Sequence, residues 1–312
     1  MEMWENQRLK IEGWRSQPTF NLQSSIFSTT AVSHWLATAV SPRILHVFEQ
    51  VCNLVDGERR VISLVSPEIG EGPFSLVVDL ADGRFDRLSN RRFTDFIQAD
   101  SPVHIHNQYV LQIGGLTVDI SAAKLWEARP LWETVPRAAI QPYLPLFKSK
   151  LASAPADSLA NNRSEHEETA VRTLQHGLQT ENAAACREGA RRLAGLGVGL
   201  TPAGDDFLLG VIYGLWLAQG RRKPTQTRRL ATLLAEEAAG RTTTLSAAWL
   251  TAAARGEAGR PWHNLITALR ERENVSQAID HILATGHTSG ADALAGFITV
   301  QAVTGTGYQT SK

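Results

Sequence analysis

The chain has 312 residues, of which 43% are hydrophobic and 20% charged, so it has enough apolar material for a substantial core and for two domains. Lys and Arg together number 31, as do Asp and Glu, so the net charge is zero and the basic stripe that nucleic-acid binding requires is not expected. Cys52 and Cys186 lie far apart without zinc-ligand spacing around them, which favours a reducing, cytoplasmic compartment.

No segment predicts a membrane span or an export signal. The longest apolar run, residues 207–218, would rise only about 18 Å as a helix, against about 30 Å of hydrocarbon in a bilayer. This run therefore predicts a buried core helix. Glu2 and Glu5 stand near the N-terminus, where an export signal has a basic start and an unbroken apolar stretch.

In chain order, residues 1–40 come first, and their weak periodicity predicts an extension whose order depends on what it packs against. Residues 41–150 predict a small, mainly antiparallel sheet or partial barrel that ends in a proline-rich connection. Short runs of β-forming residues alternate there with turns. The predicted strands include Val61–Val65, 74–78 and 103–113, and the predicted turns are 56–57, 70–73, 82–83 and 114–115.

The second half of the chain has a different pattern. Residues 151–168 are polar and predict an exposed linker. In residues 169–312 alanine is dense, apolar residues recur at three- and four-residue spacing, and glycines interrupt the pattern. We therefore predict an α+β protein in which a mainly β domain is followed by an α-helical, bundle-like domain.

The most distinctive segment is glycine-rich and covers residues 195–210. Thr201 before Pro202 predicts an N-cap followed by proline at the first helical position. The glycines leave backbone N–H groups free at a helix start, which attracts anions. Asp205 and Asp206 fall in the first turns, where they either balance the helix dipole, hold a cation, or act as acid and base. Taken alone, the segment fits a well-capped core helix equally well.

A second segment, residues 286–296, repeats the first when one gap is allowed opposite Ala203. The aligned pairs are Gly199 with Gly286, Thr201 with Thr288, Gly204 with Gly290, Asp206 with Asp292, Leu208 with Leu294, and Gly210 with Gly296. The repeat is either one packing solution used twice or a pair of helix starts that face one cleft. Glycines on both sides expose backbone donors that packing does not need, so we favour the cleft.

The predicted cleft brings together carboxylates, hydroxyls and one imidazole. Gly210, Gly214 and Gly296 would let the two helices pack closely enough to form it. The candidate groups for proton transfer or cation binding, with Mg²⁺ as the cofactor they would suit, are Asp205, Asp206, Asp292 and His287. The candidate anion-binding residues are Gly197, Gly199, Thr201, Gly204, Thr288, Ser289 and Gly290.

Two further patterns carry weaker signals. Arg241, Thr242 and Thr243 begin another predicted helix; they either line the same cleft, with Arg241 binding a carboxylate or phosphate, or only cap the helix. His104 and His106 share a strand face but lack a third ligand, so a metal site is not expected there. No nucleophile elbow, Walker loop or dinucleotide fingerprint is present in the sequence.

These motifs resemble those of the bacterial AllH family. The resemblance rests on residues 197–206 and 286–292, on Arg241-Thr242-Thr243 between them, and on the strand-loop-strand pattern of residues 64–76. It extends over about residues 44 to 303. Val198 and Ala203 stand where family members commonly have Pro and Ser.

The resemblance implies a subunit of oxamate carbamoyltransferase, which converts oxalurate and phosphate into oxamate and carbamoyl phosphate during allantoin and purine-nitrogen breakdown. It also implies FdrA-like and AllG-like partner subunits and a small anionic substrate. Two alternatives remain from the residues themselves. One is a stand-alone hydrolase that uses a divalent metal with Asp206 and Asp292. The other is a non-catalytic assembly subunit whose helix starts serve only packing.

Overall fold

The structure is a computed structural model that describes residues 27–80 and 91–303. A β-rich part, residues 27–80 and 91–125, precedes a mainly helical part, residues 126–303, which confirms the predicted α+β class. The predicted turn at residues 82–83 lies outside the described residues. None of the described helices is both long and apolar enough to cross a membrane.

The strands of the described residues form two sheets. They are β1 (Phe27–Ser28), β2 (Arg43–Val47), β3 (Val51–Val55), β4 (Val61–Val65), β5 (Ser75–Val77), β6 (Val103–His106), β7 (Val110–Ile113), β8 (Leu116–Asp119) and β9 (Lys124–Leu125). The larger sheet has the order β2-β3-β4-β5-β1-β9 and the smaller one β6-β7-β8. All neighbours are antiparallel except β4 with β5 and β1 with β9, so the mainly antiparallel prediction is confirmed.

The stretch 103–113, predicted as one run, is a hairpin of β6 and β7. Asn107 and Gln108, in the three-residue loop 107–109, take φ values of 53° and 62°, the left-handed conformation of a type I′ turn, and the Tyr109 N–H donates to His106 O at 3.2 Å. Asn and Gln are weaker turn signals than glycine, so the alternation of apolar residues hid the turn. His104 and His106 are exposed on β6.

The helical part follows the predicted punctuation, with breaks at or next to Gly195, Gly220, Gly240, residues 256–259 and Gly286. The α-helices of the described residues are α1 (Thr30–Thr38), α2 (Leu144–Ala152), α3 (Glu165–Gln179), α4 (Ala183–Leu193), α5 (Ala203–Gln219), α6 (Pro224–Ala239), α7 (Thr244–Ala254), α8 (Arg260–Glu271), α9 (Val275–Leu283) and α10 (Ser289–Val303). The apolar run 207–218 lies in α5 and is almost wholly buried, as predicted.

Two segments pack more tightly than their composition predicts. In α1, Trp35 and Leu36 are buried in the core shared by the two sheets, so part of the predicted extension belongs to the β-rich part. Within the predicted exposed linker, Ser158 and Leu159 are buried. The reason is a tertiary hydrogen bond in which the Leu159 N–H donates to Asp292 Oδ1 at 2.6 Å.

The two parts of the molecule are in direct contact. Phe74, beside β5, packs edge-on against Trp249 of α7, with ring centroids 4.9 Å apart. The proline-rich connection joins the helical core rather than the sheets, because Trp132 is fully buried there and its Nε1 donates to Gly256 O at 2.8 Å. The domain boundaries inferred from composition stay predictions.

Helices α5 and α10 pack against each other through glycines. A Cβ atom on Gly210 would lie 1.7 Å from the Ala293 carbonyl oxygen, and one on Gly296 would lie 2.0 Å from Phe207 O. Gly214 would likewise meet the α10 backbone, at 2.9 Å. The close packing predicted from these three glycines is therefore confirmed, and any larger side chain would push the two backbones apart.

Candidate functional site

The starts of α5 and α10 meet at a hydrogen bond between two hydroxyls. Thr201 Oγ1 and Ser289 Oγ are 3.1 Å apart. Farther along, Gln301 Nε2 donates to Gly214 O at 3.1 Å, so the two helices run in the same direction. The two N-terminal ends therefore lie side by side, and the positive ends of their helix dipoles add.

The paired helix starts border a cavity between the β-rich part and the helices, with a volume of about 390 Å³. Small-molecule sites typically measure about 300 to 1,000 Å³. The polar lining residues are Asn53, Ser63, Glu71, Ser75, Thr201, Asp206, Tyr213, Thr285 and Ser289. No Lys, Arg or His is among the described residues that line the cavity, so an anion bound there would depend on backbone and hydroxyl donors.

Of the three candidate aspartates, Asp206 is the one that lines the cavity. It is 6% exposed, and its Oδ2 makes no hydrogen bond within the described part of the chain. Burial raises the pKa of Asp206 to about 8; the negative charges of Asp292 and Asp205 also raise it, and the hydroxyls of Ser289 and Thr201 offset only part of this. Asp206 is therefore mostly protonated at neutral pH and offers one donor and one acceptor.

Asp205 has a structural role, because both of its carboxylate oxygens accept hydrogen bonds from within the protein. The Gly195 N–H donates to Oδ1 at 2.9 Å, and the Thr242 hydroxyl donates to Oδ2 in a short hydrogen bond. Burial raises the pKa of Asp205, and these two hydrogen bonds oppose the increase. Asp205 thus ties the glycine loop ahead of α5 to the residues just before α7.

Asp292 and His287 lie outside the cavity lining. Asp292 is fully buried, and its Oδ1 accepts the Leu159 N–H described above. Burial raises the pKa of Asp292 to about 6, although hydrogen bonds from Leu159 and Thr288 lower it. The His287 side chain is 78% exposed, with Nε2 3.4 Å from Asp157 Oδ2. The two aligned aspartates therefore have different surroundings.

The segment before α7 caps that helix. Thr243 is its N-cap and accepts the Ser246 N–H at 3.0 Å, while its hydroxyl donates to Leu200 O at 2.6 Å. Arg241 is outside the cavity lining, and its Nη1 lies 3.2 Å from Glu237 Oε1. Of the two interpretations of this segment, capping is the one the geometry supports.

The aligned glycines at the two helix starts have a packing reason. A Cβ atom on Gly204 would lie 2.0 Å from Leu193 O at the end of α4, and one on Gly290 would lie 1.9 Å from Ile282 O near the end of α9. Each helix start thus crosses the end of the preceding helix at backbone contact. In the loop ahead of α5, positive φ values occur at Gly195, Gly197 and Gly199.

The N-cap of α5 differs from the prediction by one residue. Pro202 occupies the cap position and α5 begins at Ala203, whereas Thr201 was expected to cap the helix. The Thr201 hydroxyl instead faces Ser289 across the helix pair. A contact between segments 88 positions apart has replaced a local capping bond.

The sequence patterns did not predict two groups of cavity residues. Tyr213 is fully buried and its hydroxyl has no partner among the described residues; burial raises the pKa of Tyr213. Its spacing was a usable signal, since it follows Asp206 by seven positions and so shares its face of α5. On the sheet, Ser63 Oγ donates to Asn53 Oδ1 at 2.6 Å. A polar residue at the centre of each apolar strand, β3 and β4, was the signal there.

No group of three or more His, Cys, Asp or Glu side chains within residues 27–80 and 91–303 is arranged to hold a metal ion. His104 and His106 have ring centroids 6.4 Å apart on β6. Glu71, the other carboxylate of the cavity, is paired with Arg260, whose Nε donates to Oε2 at 2.8 Å. Burial raises the pKa of Glu71, but Arg260 outweighs it and the net effect is a lowered pKa, so Glu71 is ionised.

Two protein-family models match the chain. One, described as oxamate carbamoyltransferase subunit AllH, matches residues 193–301, and the other, the AllH family N-terminal domain, matches residues 25–125. No solved structure matches. The first match includes both glycine-aspartate motifs, and the second includes the strands that line the cavity. Because the two matches together cover more than half of its length, the chain belongs to the AllH family.

Proposed function

We propose that this chain is a subunit of an oxamate carbamoyltransferase-like enzyme and that the cavity at the paired helix starts binds its small anionic substrate. The family membership supports the kind of enzyme. The single observation that carries the site is the convergence of two parallel helix starts on a cavity that holds the unpartnered carboxyl of Asp206.

The charges around the cavity fit a small anion when Asp206 is neutral. The hydroxyls of Thr201 and Ser289 supply donors, and the positive ends of two helix dipoles favour a negative charge beside them. Most N–H groups of the two first turns are already bonded to backbone carbonyls. An ionised Asp206 would repel the anion, and no basic side chain among the described lining residues would compensate. A protonated Asp206 removes this repulsion without any cation.

The proposed reaction is phosphorolysis of oxalurate. A phosphate oxygen attacks the terminal carbamoyl carbon, the bond from that carbon to the oxamyl nitrogen breaks, and this nitrogen takes a proton to give oxamate and carbamoyl phosphate. A buried group that holds a proton at neutral pH can stabilise charge on the carbonyl oxygen or protonate the leaving nitrogen. Asp206 and Tyr213 are the described cavity residues with this property, and Asp206 is the better acid because its pKa, about 8, lies nearer to neutral pH.

The partners we propose are FdrA-like and AllG-like subunits in the cytoplasm, and the pathway is allantoin and purine-nitrogen breakdown. The description of the matching family as a subunit supports a multi-protein enzyme.

Neither alternative from the sequence gains support. A metal hydrolase would need both Asp206 and Asp292 at the cavity, and only Asp206 lines it. Pure packing does not require a cavity-lining carboxyl with an unpaired oxygen.

The test is to copurify the full chain with its partners and measure phosphate-dependent cleavage of oxalurate. Replacing Asp206 by Asn should lower kcat/KM by about 10²-fold or more, the usual worth of an acid–base group. Asp280→Asn is the matched control, because Asp280 is a half-exposed α9 carboxylate that pairs with Lys150. A copurified complex without oxalurate cleavage would contradict the proposed substrate. An assembled, fully active Asp206→Asn complex would favour the assembly role.

A further inference from the structure

We propose that Asp206 recognises the carbamoyl or amide group of the ligand as a neutral carboxylic acid, donating its O–H to the ligand carbonyl oxygen and accepting a ligand N–H. This inference rests on the proposed function, since it assigns one half of the substrate to one residue. The other half, the carboxylate, would lie beside the hydroxyls of Thr201 and Ser289, at the positive ends of the α5 and α10 dipoles.

The neutral state follows from the surroundings of Asp206. Asp205 precedes it on α5, and Asp292 contributes a second negative charge from α10. Across the cavity, Glu71 is ionised and its counter-charge, Arg260, is already bonded to it. Tyr213 is the remaining titratable group that lines the cavity, and its hydroxyl is uncharged at neutral pH. An ionised Asp206 would thus stand among carboxylates without a free counter-ion.

The unpartnered oxygen points to a ligand. Leaving a buried carboxyl oxygen without a hydrogen bond costs about 1–3 kcal/mol, so proteins rarely keep one without a use. Asp206 Oδ2 and Asp292 Oδ2 are both such atoms, and of these two residues Asp206 is the one that lines the cavity, where a ligand can reach it. A neutral carboxyl presents one donor and one acceptor side by side. A primary amide or ureide presents the complementary pair, whereas phosphate and carboxylates lack the N–H.

A cationic ligand predicts the opposite pH dependence of binding. An ammonium group or metal ion would need an ionised Asp206 and would bind more tightly as the pH rises through the pKa of Asp206, about 8. An amide-bearing ligand needs the proton on Asp206 and would bind less tightly over the same interval. The direction of the pH dependence therefore separates the two classes.

The experiment is calorimetric titration of the full chain, alone and in the copurified complex, with oxamate between pH 6 and pH 9.5. Oxamate has one amide and one carboxylate and does not change charge in this range. For the wild-type chain we expect Kd to be constant below the pKa of Asp206 and to rise about tenfold per pH unit well above it. Oxalate, which replaces the amide by a second carboxylate, should bind at least tenfold more weakly at pH 7.

Two variants make the outcome specific to Asp206. Asp206→Asn keeps a donor and an acceptor in the same place but cannot ionise, so its oxamate binding should not change with pH. Asp280→Asn makes the same chemical change on the exposed face of α9 and should follow the wild-type profile. Thermal melting at each pH checks that every variant is folded.

Several results would overturn the inference. They are wild-type binding that is independent of pH or strengthens as the pH rises, a pH-dependent Asp206→Asn variant, oxalate that binds as tightly as oxamate, or no oxamate binding in chain and complex. The proposed function and this inference can be refuted independently of each other. Oxamate binding with the expected profile in a complex that does not cleave oxalurate would refute only the proposed reaction, and cleavage with pH-independent binding would refute only the recognition by Asp206.

Discussion

The starts of α5 and α10 share a sequence pattern but differ in what their aspartates contact. Each keeps an unpaired Oδ2, but Asp206 lines the cavity, whereas Asp292 accepts the N–H of Leu159 at Oδ1 and lies outside the cavity. The difference extends two turns along each helix. The Tyr213 hydroxyl has no described partner, but the aligned Thr299 donates to Ala295 O at 2.9 Å.

This contrast separates packing from chemistry. The features that both starts share, such as Gly204 and Gly290, bring each helix against the end of the preceding one. Unpaired buried oxygens cost stability, and both aspartates have one at Oδ2. What only α5 has is their position, because Asp206 and Tyr213 line the cavity and Asp292 does not. We therefore assign the shared residues to the scaffold and the α5-specific ones to the ligand.

Gly210→Ala should have the largest effect, because it breaks the contact on which both helix starts depend. The added Cβ would overlap the Ala293 carbonyl oxygen, so we expect a loss of about 3 kcal/mol or more in the free energy of unfolding, or no folded protein. Gly240→Ala is the matched control, since nothing lies within 4 Å of its added Cβ. Thermal melting measures both, and a Gly210→Ala chain as stable as Gly240→Ala would contradict the close packing.

Asp292→Ala tests the scaffold side of the contrast. Removing the carboxyl leaves the buried Leu159 N–H without an acceptor, which should cost about 1–3 kcal/mol. Asp292→Asn keeps an oxygen in that position and should cost less. Denaturant unfolding gives the stabilities, and amide hydrogen exchange at Leu159 should be faster in Asp292→Ala. Unchanged exchange would show that Asp292 does not hold this segment.

Asp206→Asn tests the ligand side through the pH dependence of stability. Because the folded-state pKa of Asp206 is about 8, well above that of a free Asp, the folded protein holds a proton that the unfolded chain releases. This group should therefore lower the free energy of unfolding by up to about 1.4 kcal/mol per pH unit between pH 4 and 8. Asn abolishes that loss, so the variant should melt higher than wild type at pH 8 and nearly equal to it at pH 4. A difference in Tm that does not grow with pH would contradict the raised pKa.

Tyr213→Phe should have the smallest effect on stability. Its buried hydroxyl has no described partner, so removing it breaks no hydrogen bond and should leave the free energy of unfolding unchanged or raise it by up to about 1 kcal/mol. The stacking on Trp132 and Trp262, at centroid distances of 5.5 and 4.8 Å, remains. Unfolding measurements check this, and a loss above about 1 kcal/mol would reveal a hydrogen bond in the folded protein.

Much of the fold was predictable because its signals are local. Glycine breaks, apolar spacing and β-forming runs depend on a few neighbouring residues, and they predicted the helical half, the core helix α5 and the mainly antiparallel strands. The repeated motif also predicted that the starts of α5 and α10 would meet, which the Thr201–Ser289 contact confirms.

The surroundings of the candidate residues were not predictable in the same way. Asp205 accepts a hydrogen bond from Thr242, which is 37 positions away, and Asp292 accepts one from Leu159, which is 133 positions away. Local spacing carries no information about such partners, so the three aspartates looked alike. The same limit explains why Thr201 was expected to cap α5 and Leu159 to be exposed.

By itself, the sequence determined where helices and strands form, which glycines permit close packing, and which family the chain resembles, because these depend on side-chain shape and short-range order. The tertiary structure alone decided which carboxyl lines the cavity. Whether a buried group is satisfied depends on what distant segments bring to it. In this chain, distant segments leave Asp206 at the edge of a cavity and bring the Leu159 N–H to Asp292.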